Sequence, residues 1–280
     1  LLAATSMGGN FGVGSASEPS FAPWQGGIAG LIKTLAVEWP ELHTRVVDFD
    51  PQMPTAILTK NLLYEMRRVK GTIEVGYKED MRFSLRLQET NENERRATSI
   101  QMDSNWIVVA TGGGRGITAE VAAEIAKLHQ PTLLLVGRSP FQPEFETPET
   151  AELKSPRDLK KALIEKMRSE GRKVDANEVE TVYTRLQRNR EIQRNIDRMR
   201  QAGARVHYFQ VDVRDLSSFG QFIDEVYSKY GRIDLFVHGA GVIEDKLIAD
   251  KTTESFDRVF DTKADSAFIW LVQQADTGII

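Results

Sequence analysis

Asn105-Trp106-Ile107-Val108-Val109-Ala110 runs directly into Thr111-Gly112-Gly113-Gly114-Arg115-Gly116-Ile117-Thr118. An apolar run of strand length, a glycine cluster and then a helical pattern over 117–129 read as strand, tight turn and helix N-terminus. Glycines lack a Cβ, so they permit the turn and let a ligand approach the backbone. The helix N-terminus adds free N–H groups and partial positive charge, a combination that suits a diphosphate. A glycine cluster alone is weak, so its neighbours must carry the reading.

Working outward, the spacing predicts strands at 131–136, 205–211 and 233–238, with a helix at 217–230. Strands alternating with helices imply right-handed crossovers and an α/β, Rossmann-like parallel sheet with helices on both faces. The second strand ends Val136-Gly137-Arg138-Ser139. Arg138 and Ser139 would offer a guanidinium and a hydroxyl to a ribose 2′-phosphate, which points to NADPH; an Asp there would instead favour a free 2′-hydroxyl. Asp212 and Val213, after the third strand, suit an adenine edge. Gly239, Ala240 and Gly241, after the fourth, are small enough to pack beside a nicotinamide ribose. Thr111, Gly112, Gly113, Gly114, Arg115, Gly116 and Ile117 would line the diphosphate.

Between the second and third of these strands lies a helical insertion, about 141–204. Ser155-Pro156 opens one helix, stopped by Gly171. Asp175 with Glu178 reads as a capping box for a second helix that ends at Gly203. Arg185, Arg188, Arg190, Arg194, Arg198 and Arg200 lie on that helix, and read as a solvated face rather than a docking surface for phosphate or an acidic carrier.

Upstream, an apolar stretch over 1–10 predicts a strand and 8–27 a Gly/Ser-rich loop. A helix follows at 27–39, with Ile28, Leu31, Ile32 and Leu35 on its apolar face. A strand at 44–50, a helix at 55–68, strands at 72–77 and 81–88 and a polar connector at 89–104 complete this part. The chain thus divides into 1–100 and 101–280.

Composition sets the limits. Of 280 residues, 41% are hydrophobic and 27% charged, an ordinary globular balance. A net charge of −4 gives no general argument for nucleic acid or an anionic membrane. The absence of cysteine removes disulfides, thiolate nucleophiles and Cys-ligated zinc, and fits a reducing, cytoplasmic setting. No apolar run approaches the roughly 20 residues of a membrane span. The opening Leu-Leu-Ala-Ala-Thr-Ser lacks a basic segment before an apolar one, so it is no signal peptide, and the chain reads as a piece of something longer. The four histidines show no metal spacing.

The run TGGGRGI, then GRS, then DV, then HGAG resembles the short-chain dehydrogenase/reductase family. HGAGVIEDK resembles, more narrowly, the ketoreductase (KR) domains of polyketide and polyunsaturated fatty acid synthases. The likeness covers about 105–270, with Thr118 standing where the family has its third glycine. It implies NADPH-dependent reduction of a carrier-bound β-ketoacyl thioester to the β-hydroxyacyl form. It also implies an acyl carrier protein bearing phosphopantetheine, and neighbouring synthase domains, as partners. Lys263 maps onto the family's catalytic lysine. The Ser, Tyr and Asn that should follow are not in these 280 residues, and no Tyr occurs after Tyr230, so the chain alone is expected to be inactive.

The N-terminal part resembles the structural, non-catalytic subdomain of such enzymes. Trp24 and Ile28 stand at the Tyr and Lys positions there, and Ser6 at the end of the first strand is not a live nucleophile. Ile243-Glu244-Asp245 falls where a Leu-Asp-Asp signature marks domains giving D-hydroxyacyl products, which puts Glu244 and Asp245 at the mouth of the substrate cleft. The alternative is a Rossmann scaffold that binds dinucleotide, or only supports its neighbours, without catalysis.

Overall fold

Residues 1–13, 23–89 and 101–276 are described by the computed structural model. The chain divides into two compact units: Leu1–Thr98 with Lys246–Lys251, and Ser99–Asp245 with Thr252–Ile280. Residues 14–22 of the expected 8–27 loop and most of the 89–104 connector lie outside the described residues.

In the first unit, β1 (Leu2–Thr5), β2 (Arg45–Phe49) and β3 (Glu74–Lys78) are parallel, and β4 (Met81–Phe83) joins β3 antiparallel. β2 is the central strand, and its alternate residues serve two cores. Val46 packs with Ala29, Ile32 and Leu35 of α1 (Gly26–Glu38), while Val47 and Phe49 pack with Leu58 and Leu62 of α2 (Thr55–Arg67).

Two expectations change here. Ile28 and Leu31 are 40% and 50% exposed, because α1 meets the sheet through Ala29, Ile32 and Leu35. The expected strand 81–88 stops at Phe83, where pairing to β3 ends. Thr5 and Ser6 serve the framework: the Thr5 hydroxyl donates to buried Asp48 at 2.7 Å, and the Ser6 N–H donates to Gln25 at 2.6 Å.

The second unit has four parallel strands: β5 (Ile107–Thr111), β6 (Thr132–Gly137), β7 (Arg205–Gln210) and β8 (Leu235–His238). Their spatial order is β7-β6-β5-β8, so chain order reverses between β5 and β8. Ligands of doubly wound sheets sit outside the strand ends at this switch point.

The sheet is covered on both faces, which explains why its central strands read as continuous apolar runs. Val108, Ala110, Leu133 and Leu135 face α3 (Gly116–His129) and α6 (Ala176–Gln201). Ile107, Val109, Leu134 and Val136 face α7 (Leu216–Tyr230) and α9 (Ser266–Asp276).

The insertion between β6 and β7 contains α4 (Pro148–Ala151), α5 (Pro156–Ser169) and α6 (Ala176–Gln201). The 26 residues of α6 span about 39 Å at ~1.5 Å per residue. That is roughly twice the length of a six-residue strand, and its second half carries the residues packed on the sheet, Ile192, Ile196 and Met199, so its first half extends past the strand ends.

No capping box forms at the start of α6. Asp175 accepts from the Asn177 N–H at 2.8 Å, while Glu178 pairs with Arg172. Several arginines expected on a solvated face make specific bonds. Arg190 holds Glu146 at 2.6 Å and the carbonyl of Leu153 at 2.7 Å, and Arg198 forms a two-pronged pair with Glu120 of α3. Arg185 lies 4.3 Å over the Phe145 ring.

Candidate functional site

The end of β5 is shaped by two glycines. Gly112 has φ +75°, and a Cβ there would lie 2.8 Å from the carbonyl oxygen of Gly239 after β8. A Cβ on Gly239 would lie 2.2 Å from Thr118 Oγ1. Threonine therefore occupies the place of the expected third glycine by packing onto a neighbouring strand end that has no side chain. The Thr118 hydroxyl donates to the Gly239 carbonyl at 3.4 Å.

Thr111 and His238 are direct partners across β5 and β8. Thr111 Oγ1 lies 3.1 Å from His238 Nδ1 and accepts from the Ala240 N–H at 3.2 Å. His238 Nε2 lies 2.9 Å from the Lys263 carbonyl oxygen, which can only accept, so Nε2 carries the proton and Nδ1 accepts from Thr111.

His238 thereby anchors Lys263, which sits in a π-helical turn, Asp261–Asp265, between α8 (Thr253–Phe260) and α9. Such turns recur at functional sites because they re-aim a side chain. The Lys263 side chain crosses Gly241: a Cβ there would lie 3.0 Å from its Cε and 3.3 Å from its Nζ. Sequence reading assigned His238 only a place in a strand motif, and nothing local in the sequence marks it as an anchor.

The other candidates differ in how they are held. Arg138 is exposed after β6. The Ser139 carbonyl accepts from the Tyr208 hydroxyl at 2.9 Å, and burial pushes that phenol's pKa up to about 12. Hydrogen bonds from the Arg214 guanidinium hold the Asp212 carboxyl below its usual value despite burial, and the charge of Arg138 adds to this. Val213 turns its side chain into the core against Phe219 and Phe222. Gly113 abuts Ala110 and Leu135, Gly114 abuts Tyr208, and Ile117 is exposed. Glu244 is bound by Ser255 at 2.7 Å and Arg258 at 2.6 Å, which fixes the start of α8, whereas Asp245 is exposed.

At the α3 N-terminus a Cβ on Gly116 would meet nothing within 4 Å, so there is open space beside the first helical amide. That amide already donates to a carboxylate, Glu191, at 3.2 Å. A seat that takes a carboxylate has the donor chemistry for a phosphate oxygen, so the residues present fit a dinucleotide. Among the described residues, no group of three or more His, Asp or Glu is placed to hold a metal ion. No described helix is long and apolar enough to cross a membrane.

The family model for the KR domain matches residues 107–276, more than half of the chain. The chain belongs to the KR domain family. Among the relatives of this KR chain is one component of the polyunsaturated fatty acid synthase of a Thraustochytrium species, 26% identical over 85% of the chain but only 9% of that protein. Polyketide synthase PksN of Bacillus subtilis is 23% identical over 85% of the chain and 3% of its own length. The chain thus spans a small part of these relatives.

Among solved structures, a ketoreductase from the first module of phoslactomycin biosynthesis in a Streptomyces species superposes with TM-score 0.66 at 18% identity, covering 97% of this chain and 51% of that one. A ketoreductase domain from the bacillaene assembly line gives TM-score 0.63 at 21% identity, covering 88% and 47%. These likenesses carry the Rossmann-like fold expected from the strand and helix pattern.

Proposed function

We propose that this KR chain binds NADPH and serves the reduction of a β-ketoacyl thioester to a β-hydroxyacyl thioester within a polyketide or polyunsaturated fatty acid synthase. The observation that carries the reading is the convergence, at the β5/β8 switch point, of a helix N-terminus whose first amide takes a carboxylate with Lys263 held over Gly241 by His238. When bound, the reduced nicotinamide supplies the hydride.

The chain's own residues divide the remaining work. Backbone N–H groups of the 111–117 turn hold the diphosphate, Arg138 with Ser139 takes the 2′-phosphate, and the loop at Asp212 and Val213 borders the adenine. Gly239, Ala240 and Gly241 leave room for the nicotinamide ribose, and the Lys263 cation would hold that ribose and ease proton release from the tyrosine that protonates the developing alkoxide. We assign the proton donor, and hence turnover, to a longer protein containing this chain. The substrate arrives on the phosphopantetheine arm of an acyl carrier protein from neighbouring synthase domains, and the first unit serves as a structural subdomain.

The deciding measurement is nucleotide titration. Arg138 contributes one or two charge-assisted hydrogen bonds, so Arg138→Ala is expected to weaken NADPH about 10- to 100-fold and to leave NADH nearly unchanged. Equal affinity of the unaltered chain for both nucleotides would refute the 2′-phosphate assignment. Binding with no turnover in the longer protein would favour the non-catalytic scaffold.

Asp245 supports a stereochemical expectation. An exposed acid at the cleft mouth steers the carrier arm to one side, and entry from that side yields the D-hydroxyacyl product. Chiral chromatography of product from a synthase containing this chain checks it, and predominantly L product would overturn the assignment.

A further inference from the structure

The Glu191 carboxylate stands where the proposed diphosphate would bind. Its Oε1 accepts from the Gly116 N–H at 3.2 Å, and its Oε2 lies 3.8 Å from Arg115 Nη1. It is carried there by α6, the long helix whose first half extends past the strand ends. Four residues along, Asn195 Nδ2 donates to the Gly114 carbonyl at 3.0 Å, and between them Ile192 is buried against the β5/β6 face. One helix thus grips both sides of the glycine turn, and its register fixes Glu191 over the first amide of α3. An open cavity of about 570 Å³ adjoins this contact, lined by Gly116, Ile117, Glu120, Glu191, Arg194 and Arg198.

We propose that Glu191 is an internal competitor for the anion seat, setting how tightly the dinucleotide binds. The proposal rests on the cofactor reading above and adds an affinity-setting residue to it. A diphosphate and a carboxylate cannot share one amide and one neighbouring guanidinium. Two like charges 4 Å apart shift a binding constant about fivefold even at water-like screening. Binding therefore requires the carboxylate to leave. Arg194, three residues further along the same helix and lining the same cavity, is placed to receive it. Arg115 is then released toward the diphosphate.

The test compares the full chain with Glu191→Gln, which keeps size and an acceptor oxygen, and Glu191→Ala, which removes both. NADPH affinity is read from its fluorescence. Adenosine 2′-monophosphate, which lacks the diphosphate, is titrated by NMR. Both variants are expected to bind NADPH about three- to tenfold more tightly and adenosine 2′-monophosphate within twofold of the unaltered chain. Unchanged or weaker NADPH binding by both variants, with measurable binding by the unaltered chain, overturns the role of Glu191 and leaves the cofactor reading standing. Equal tightening of adenosine 2′-monophosphate overturns it as well, because the effect would be general charge. No NADPH binding by any of the three chains overturns the cofactor reading and this inference with it.

Discussion

Glu65→Ala is expected to destabilise the first unit by about 3–5 kcal/mol, the usual cost of leaving a buried cation, here Arg45, without its partner. The Glu65 side chain is 0% exposed, and it bonds Arg45 at 2.9 Å and Arg82 at 2.7 Å. The Tyr77 hydroxyl donates to it at 2.6 Å. Arg45 also donates to the carbonyls of Glu65, Arg68, Lys70 and Thr72, so its guanidinium ties the end of α2 to the start of β3.

A pH dependence follows from the same cluster. Burial works to raise the Glu65 pKa, but hydrogen bonds from Arg82 and Tyr77 and the charges of Arg82 and Arg45 outweigh it and hold the carboxyl below 4.5. A depressed folded pKa stabilises fully above the unfolded value and is lost as pH falls through the folded one. Urea unfolding of the unaltered chain should therefore weaken below about pH 4.5 by more than that of Glu65→Ala. A cost under about 1 kcal/mol at pH 7 would show that the cluster is not the clasp it resembles.

Gly112→Ala is expected to cost the second unit about 2–4 kcal/mol and to weaken NADPH at least about 100-fold. The φ of +75° is unfavourable for any residue with a Cβ. The added carbon would also lie 2.8 Å from Gly239 O and 3.0 Å from Ala240 N, both backbone atoms that cannot rotate away. The ends of β5 and β8 would have to separate, which moves the turn and the small-residue loop that the nucleotide would bridge. Denaturation and fluorescence titration of the same sample read the two effects. Nucleotide binding within threefold of the unaltered chain would mean that the 111–117 turn does not carry the site.

Local pattern determined much of this protein. Continuous apolar runs at Ile107–Thr111 and Thr132–Gly137 announce strands buried on two faces, and the following glycines announce the turn, because burial and φ preference act on neighbouring residues. Pattern misled where the partner was decisive. Ile28 and Leu31 share an apolar stretch with Ile32, yet α1 rests on the sheet through the smaller Ala29. Glu65 carries no local signal of burial, and two arginines from other elements make that burial tolerable.

The sequence by itself determined the alternation of strands and helices, the glycine turn and the types of residue at each strand end. The tertiary structure decided which of those residues meet. Glu191 reaches Gly116 across 75 residues, and His238 reaches Lys263 across 25. The periodicity that makes an element is written over a few neighbouring residues. Hydrogen bonding between distant groups depends on how the helices are seated against the sheet, and that register exists only once the cores have packed.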